Sequence, residues 1–285
     1  MEVLVMEAYA RVQRGMIPWI IFSNFLHKIY VQRGLIRNLV ARDLRARYIG
    51  SFIGFFWSVI HPIVLLVSYT FVFSVIFKHR PLADAGTTSF SIFLFCGILP
   101  WLFFQDTLLR SCTSIIDHSN LITKTLFPSE VLPLTISLAG LVNHLVGLVI
   151  LFVILLFTLE KISIFILLIP VYFLVLMLFT LGVAWFVSSL NVFVRDISQV
   201  LSVILTFWFW FTPIIYSPEL FPRNMLFIVR WNPMAHIVNG YRDCLLRMSM
   251  PDLKALSILA ILSLLIFAGG GLFFRHTKRE FVDVL

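Results

Sequence analysis

The chain has 285 residues, of which 60% are hydrophobic and 13% charged, with a mean hydropathy of +0.99; soluble domains are roughly 45–50% apolar. A water-soluble globule of this size could not bury so much apolar side chain, so lipid must solvate most of it. The formal net charge of +8 is spread between apolar runs rather than gathered in one patch, which reads as a membrane-topology signal and not as a nucleic-acid footprint.

In chain order, Met16 to Leu26 is apolar and preceded by Arg11 and Arg14, like a signal peptide, but no small-residue cleavage site follows. An uncleaved segment on the membrane surface is expected there. Leu35 to Tyr48 reads as an amphipathic helix in the membrane interface. Leu35, Ile36, Leu39, Val40, Leu44 and Tyr48 share one face, and Arg37, Arg42, Arg45 and Arg47 crowd the rest. These arginines act either as a topology anchor or as guides for an anionic headgroup such as a lipid pyrophosphate, because guanidinium forks match phosphate oxygens.

Six apolar spans follow: Ser51 to Phe77, Phe90 to Leu109, Val131 to Leu159, Ile162 to Leu190, Ile197 to Tyr216 and Leu256 to Phe274. Each is long enough for a transmembrane helix. The fifth is interrupted at Thr212-Pro213, Pro62 and Pro100 predict kinks, and Glu160-Lys161 leaves almost no loop between the third and fourth. The expected fold is therefore an all-α integral membrane protein. Its single membrane domain has an N-terminal segment over 1–50, a six-helix bundle over 51–274 and a tail over 275–285. Of the 22 Lys and Arg residues, 14 fall near the termini and the loops after spans two and four. That excess places both termini in the cytoplasm.

Between spans two and three, Asn120, Leu121, Ile122, Lys124 and Leu126 lie in a polar interruption one or two helical turns long. It is either a solvated loop or a coupling helix that inserts Leu121, Ile122 and Leu126 into a groove on a cytosolic partner. Arg195 and Asp196, behind span four, could form a local ion pair. Asn143, His144 and His61 are polar residues inside spans, where an interhelical hydrogen bond is the expected role. Trp57, Tyr69, Trp101 and Trp208 stand out among 30 Phe and 7 Trp as candidate channel-lining rings able to stack on sugars. Cys96 and Cys112 lie in or near spans and Cys244 alone in a polar segment, so neither a disulfide framework nor a metal site is implied. No phosphate-binding loop of the G-x-x-x-x-G-K-[ST] kind occurs, and no carboxylate sits mid-span to relay protons.

The stretch from Arg45 to Lys78, beginning RARYIGSFIGFFWSVIHP, resembles the first span of the ABC-2 permeases that export O-antigen, capsule and teichoic acid polymers. FLFCGILPWLFFQDTL (Phe93 to Leu108) is similar to their second span and NLITKTLFPSEVLPL (Asn120 to Leu134) to their coupling region. NVFVRDISQV (Asn191 to Val200) is similar to their loop after span four. NPMAHIVNGYRD (Asn232 to Asp243) resembles the outer re-entrant segment, and Lys278 to Leu285 the usual tail. The resemblance implies the type V exporter fold and a homodimer with the pore between subunits. It also implies two copies of a cytosolic ABC ATPase that bind the ATP and Mg, this chain binding no cofactor. The implied substrate is an undecaprenyl-diphosphate-linked polysaccharide, and the implied location the bacterial inner membrane. Export of a drug or small lipid is the alternative within the family. A membrane-embedded glycan transferase or acyltransferase would need paired acids or a His-Asp constellation at one membrane face, and the sequence offers none.

Overall fold

The structure, a computed structural model, describes residues 31–47, 54–76, 85–87, 89–125, 127–158, 163–217 and 221–285. The expected surface segment over Met16 to Leu26, Tyr48, Leu126 and the Glu160-Lys161 link lie outside the described residues. Among the described residues every regular element is helical.

Helix α1 (Arg33–Ala46) precedes α2 (Trp57–Tyr69), which continues as a π-helical stretch over Thr70–Ile76. Helix α3 (Phe90–Asp117) leads into the six-residue α4 (Ser119–Lys124) and then α5 (Val131–Thr158). A 3-10 stretch, Ile164–Leu168, opens α6 (Ile169–Phe193), and α7 (Ile197–Phe211) follows after a tight turn. The remainder is α8 (Leu226–Trp231), α9 (Pro233–Arg242) with a π-helical continuation Asp243–Arg247, α10 (Leu253–Thr277) and α11 (Phe281–Val284).

Four helical stretches among the described residues are long and apolar enough to cross a membrane: Phe90–Asp117, Val131–Thr158, Ile164–Phe193 and Leu253–Val284. Two of the six expected spans appear as shorter apolar helices, Trp57–Phe73 and Ile197–Phe211. The second span runs eight residues past its expected end, because Ser111, Cys112, Ser114 and Ile115 are buried and carry the helix on to Asp117.

Helix α3 is the hub. In its apolar window 78% of residues are buried, against 22–39% in the other three long helices. Its 28 residues reach about 42 Å at 1.5 Å per residue, longer than a hydrocarbon core of about 30 Å. The other helices clothe it and leave apolar side chains such as Ile258, Ile261 and Leu265 exposed on α10, as lipid-facing surface requires. Close packing rests on small residues. A Cβ on Gly270 of α10 would run into the Gly182 carbonyl of α6, and one on Gly240 of α9 would run into the Tyr172 ring. His144 on α5 bonds Tyr241 of α9 (Nε2 to hydroxyl, 3.0 Å) and stacks on Phe173 at 4.7 Å, which is the interhelical role its position suggests.

The two ends of the bundle differ. One gathers α1, the C-terminal part of α3, α4, the starts of α5 and α7 and the chain's C-terminus. The other gathers the start of α3, the end of α7, α8 and α9. At this second end Cys244, which the sequence places in a polar segment, and Arg242 are each 0% exposed, because α9 folds back against α3. Gly97 makes room, its missing Cβ lying 2.7 Å from Arg242 Nη2.

Candidate functional site

The end that carries α1 concentrates the charged side chains. Ile36 turns inward into a cluster with Ile115, Ile122, Val131 and Leu134, so the apolar stripe of α1 packs on protein along part of its length. Of its arginines, Arg37, Arg42 and Arg45 are exposed, and Arg47 is half-buried. Arg47 donates from Nε to Asp43 Oδ2 at 3.3 Å and from Nη2 to Asp106 Oδ2 at 3.2 Å. Arg110 donates to the other Asp43 oxygen and lies 3.9 Å from Asp106. Two arginines and two aspartates thus tie α1 to α3 in one closed quartet. Burial pushes the Asp43 carboxyl above the usual carboxylate range, while the Arg47 guanidinium pulls the other way. The quartet is absent from the sequence reading, although the i, i+4 pairs Asp43/Arg47 and Asp106/Arg110 each advertise a charged helix face.

Helix α4 shows two faces. Asn120 and Lys124 are exposed and Leu121 is half-buried, while Ile122 is 7% exposed and belongs to the chain's own cluster. Ile122 therefore anchors α4 to this subunit, and the outward face is Asn120, Thr123 and Lys124. Behind it, Glu130 pairs with Lys278 at the end of α10, and its carbonyl accepts from Trp185 Nε1 of α6 at 3.1 Å. Phe281, 0% exposed, packs on Phe274 and Phe193. The segment after α4 is thus joined to α6 and to the C-terminal helix.

Arg195 and Asp196 are exposed in the turn between α6 and α7, and no ion pair joins them. The turn is held by Asn191 instead, which is 1% exposed, donates to the Cys112 carbonyl of α3 at 3.0 Å and accepts from the Ser198 amide at 3.2 Å. An amide in an otherwise apolar helix was the signal for it.

The aromatic candidates separate into two groups. Trp57 is exposed and Tyr69 half-buried, 6.2 Å from Phe73. Trp101 is 1% exposed, donates to Gln105 at 2.8 Å and meets Trp208 edge-on at 6.5 Å. Trp208, half-buried, donates to Asn232 at 2.9 Å. Trp101 accordingly backs the α7 aromatics from inside the subunit. Beside Trp208, an open groove of about 450 Å³ is lined by Phe207, Phe211, Trp231 and Asn232, among others.

The ABC-2 type transporter family model matches residues 34–246, which takes in α1 through the α9 region. The O-antigen export system permease protein RfbA of Myxococcus xanthus is 29% identical over 264 residues, 91% of this chain and 98% of that one. Its counterpart from Klebsiella pneumoniae is 28% identical, covering 86% of this chain and 92% of its own length. The polysialic acid transport protein KpsM of Escherichia coli is 23% identical across 88% and 95% respectively.

Proposed function

Because the chain belongs to the ABC-2 type transporter family, whose members are membrane subunits of transporters, we propose that it is the permease of an ATP-driven exporter of undecaprenyl-diphosphate-linked polysaccharide. The observation that carries this reading is the near end-to-end similarity to relatives named as O-antigen export permeases. In this reading two copies assemble around a pore in the bacterial inner membrane, with both termini cytoplasmic. Two cytosolic ABC ATPase subunits bind ATP and Mg. The shorter helices α2 and α7 complete six crossings, their limited length accommodated by local thinning and by packing against α3.

Arg37, Arg42 and Arg45, exposed on α1, meet the diphosphate headgroup, and Arg47 stands at the end of the same row. Trp57, Tyr69 and Trp208 face the sugar path with Trp101 behind them. The outward face of α4, Asn120 and Lys124 with Leu121 and the adjoining Leu126, docks the ATPase, while Ile122 fixes that face to the subunit. Arg195 and Asp196 lie exposed at the same end, close to where the ATPase would sit.

The test is export of polymer by a strain in which this chain, its ATPase and the polymer's synthetic enzymes are expressed together. Replacing Arg42 and Arg45 together with Gln is expected to lower surface polymer about tenfold, the scale of one lost charge-assisted contact of about 1.4 kcal/mol, with membrane insertion unchanged. Full export by that variant would reduce the two arginines to anchors, and transport of a drug without polymer would sink the substrate assignment. Thr123→Glu with Lys124→Glu is expected to abolish copurification of the ATPase; a complex that survives it would move the docking surface elsewhere.

A further inference from the structure

The quartet at the base of α1 has more donor capacity than it uses. Arg110 Nη1 is buried and, among the described residues, donates no hydrogen bond; Asp106 Oδ2 is 3.9 Å away, beyond bonding distance. Arg47 splits its guanidinium between two carboxylates. The two guanidiniums converge on one spot, and what fills it is a pair of carboxylates from the chain itself. Carboxylate and phosphate oxygens present the same acceptor geometry to an arginine fork, and a diphosphate brings more charge and more acceptors than either aspartate.

The placement of those carboxylates matters. Asp43 lies on α1, one turn before Arg47, and Asp106 lies on α3, one turn before Arg110. The aspartate on each helix is held by the arginine of the other, Arg47 to Asp106 and Arg110 to Asp43. These two cross-pairs make the polar attachment of α1 to α3. Any anion that took both arginines would break the attachment while neutralising the same charges. Arg37, Arg42 and Arg45, exposed on the same helix, give such an anion a positive approach.

We infer that Arg47 and Arg110 form a diphosphate-binding site kept closed by Asp43 and Asp106, and that an incoming diphosphate frees α1 from α3 by displacing the two carboxylates. The inference rests on the headgroup reading given above and extends it with Arg110 as a ligand, two carboxylates as built-in competitors and a movement as the consequence. A lipid headgroup and free pyrophosphate share this chemistry.

The experiment uses the full-length chain with its ATPase in nanodiscs of phosphatidylethanolamine and phosphatidylglycerol, with a spin label at Asn38→Cys on the exposed side of α1. The native cysteines are all buried and leave the label specific. Adding undecaprenyl diphosphate to the nanodiscs is expected to raise label mobility. Inorganic pyrophosphate in the buffer is the second arm: a rise with lipid alone assigns the site to the headgroup, and a rise with pyrophosphate as well assigns it to the free anion too. Asp43→Asn with Asp106→Asn weakens the cross-pairs, so it is expected to raise label mobility before any diphosphate is added and to shift the half-response of the remaining rise about tenfold lower, because a competing closed state no longer taxes binding. Asp106→Asn alone, at the more exposed carboxylate, shifts it in the same direction and serves should the double variant fail to fold. A label indifferent to both probes, or a half-response unmoved by Asp106→Asn, overturns the inference. Polymer export with an immobile label would sink this inference and leave the export reading standing. A mobile label in a chain that exports no polymer would do the reverse.

Discussion

Arg242 is a charge enclosed within a membrane-embedded bundle, held by carbonyls. It donates to the carbonyls of Pro213 and Ile214 at 2.6 Å each and reaches that of Phe93 at 3.4 Å, with the Phe93 ring 3.6 Å beneath the guanidinium. The carbonyls of Pro213 and Ile214 lie just past the end of α7, where chain direction breaks and backbone acceptors are left over. Arg242→Met is expected to lower stability by about 3 kcal/mol, since it strands buried acceptors formerly bonded to a cation, read as a fall in the melting temperature of the detergent-purified protein. Arg242→Lys, with a point charge and no fork, should recover only part of it. Nothing local in the sequence distinguishes this arginine from the other basic residues between the apolar runs. Its enclosure depends on Gly97, 145 positions earlier, and contacts at that separation leave no periodic trace. His144 was legible for the opposite reason: a polar side chain in the middle of an apolar helix has few places to go except a neighbouring helix.

Hydropathy marked the long helices well, because a span must satisfy its backbone internally and expel charge whatever its neighbours are. It marked helix ends poorly. α3 and α10 both overrun their apolar runs, carried on by buried serines in one and by packing on α6 in the other. The α6–α10 crossing offers an internally controlled test. Gly270→Ala would press a methyl into the Gly182 carbonyl, whereas a methyl at Gly269, one residue away, meets nothing within 4 Å. The first substitution is expected to cost about 1–3 kcal/mol as overpacking and to broaden the size-exclusion profile, and the second to leave it unchanged. Equal behaviour of the two would refute the crossing. α4 shows the same limit of sequence reading: a polar interruption one or two helical turns long was visible, yet whether it was loop or helix, and which of its apolar residues points home, was decided by Ile115 and Val131 on other elements.

For the molecule as a whole, the two unlike ends make a topology prediction. Thr123→Cys on α4 and Met250→Cys before α10, both exposed, should react with a membrane-impermeant maleimide from opposite sides in oriented inner-membrane vesicles, Thr123→Cys from the cytoplasmic face. Labelling of both from one side would invalidate the proposed arrangement. The Glu130–Lys278 pair makes a second: Lys278→Met is expected to leave ATPase binding intact while lowering polymer-stimulated ATP hydrolysis several-fold, because the C-terminal helix no longer follows the α4 segment. The quartet residue Asp106 and the Phe93 carbonyl that Arg242 reaches belong to one helix, about 20 Å apart along it. Pro100 sits between them and cannot donate to the carbonyl four residues back. The hub thus carries both attachments on a single rod, the quartet with α1 toward one end and the Arg242 clamp toward the other, with one helix hydrogen bond missing between them.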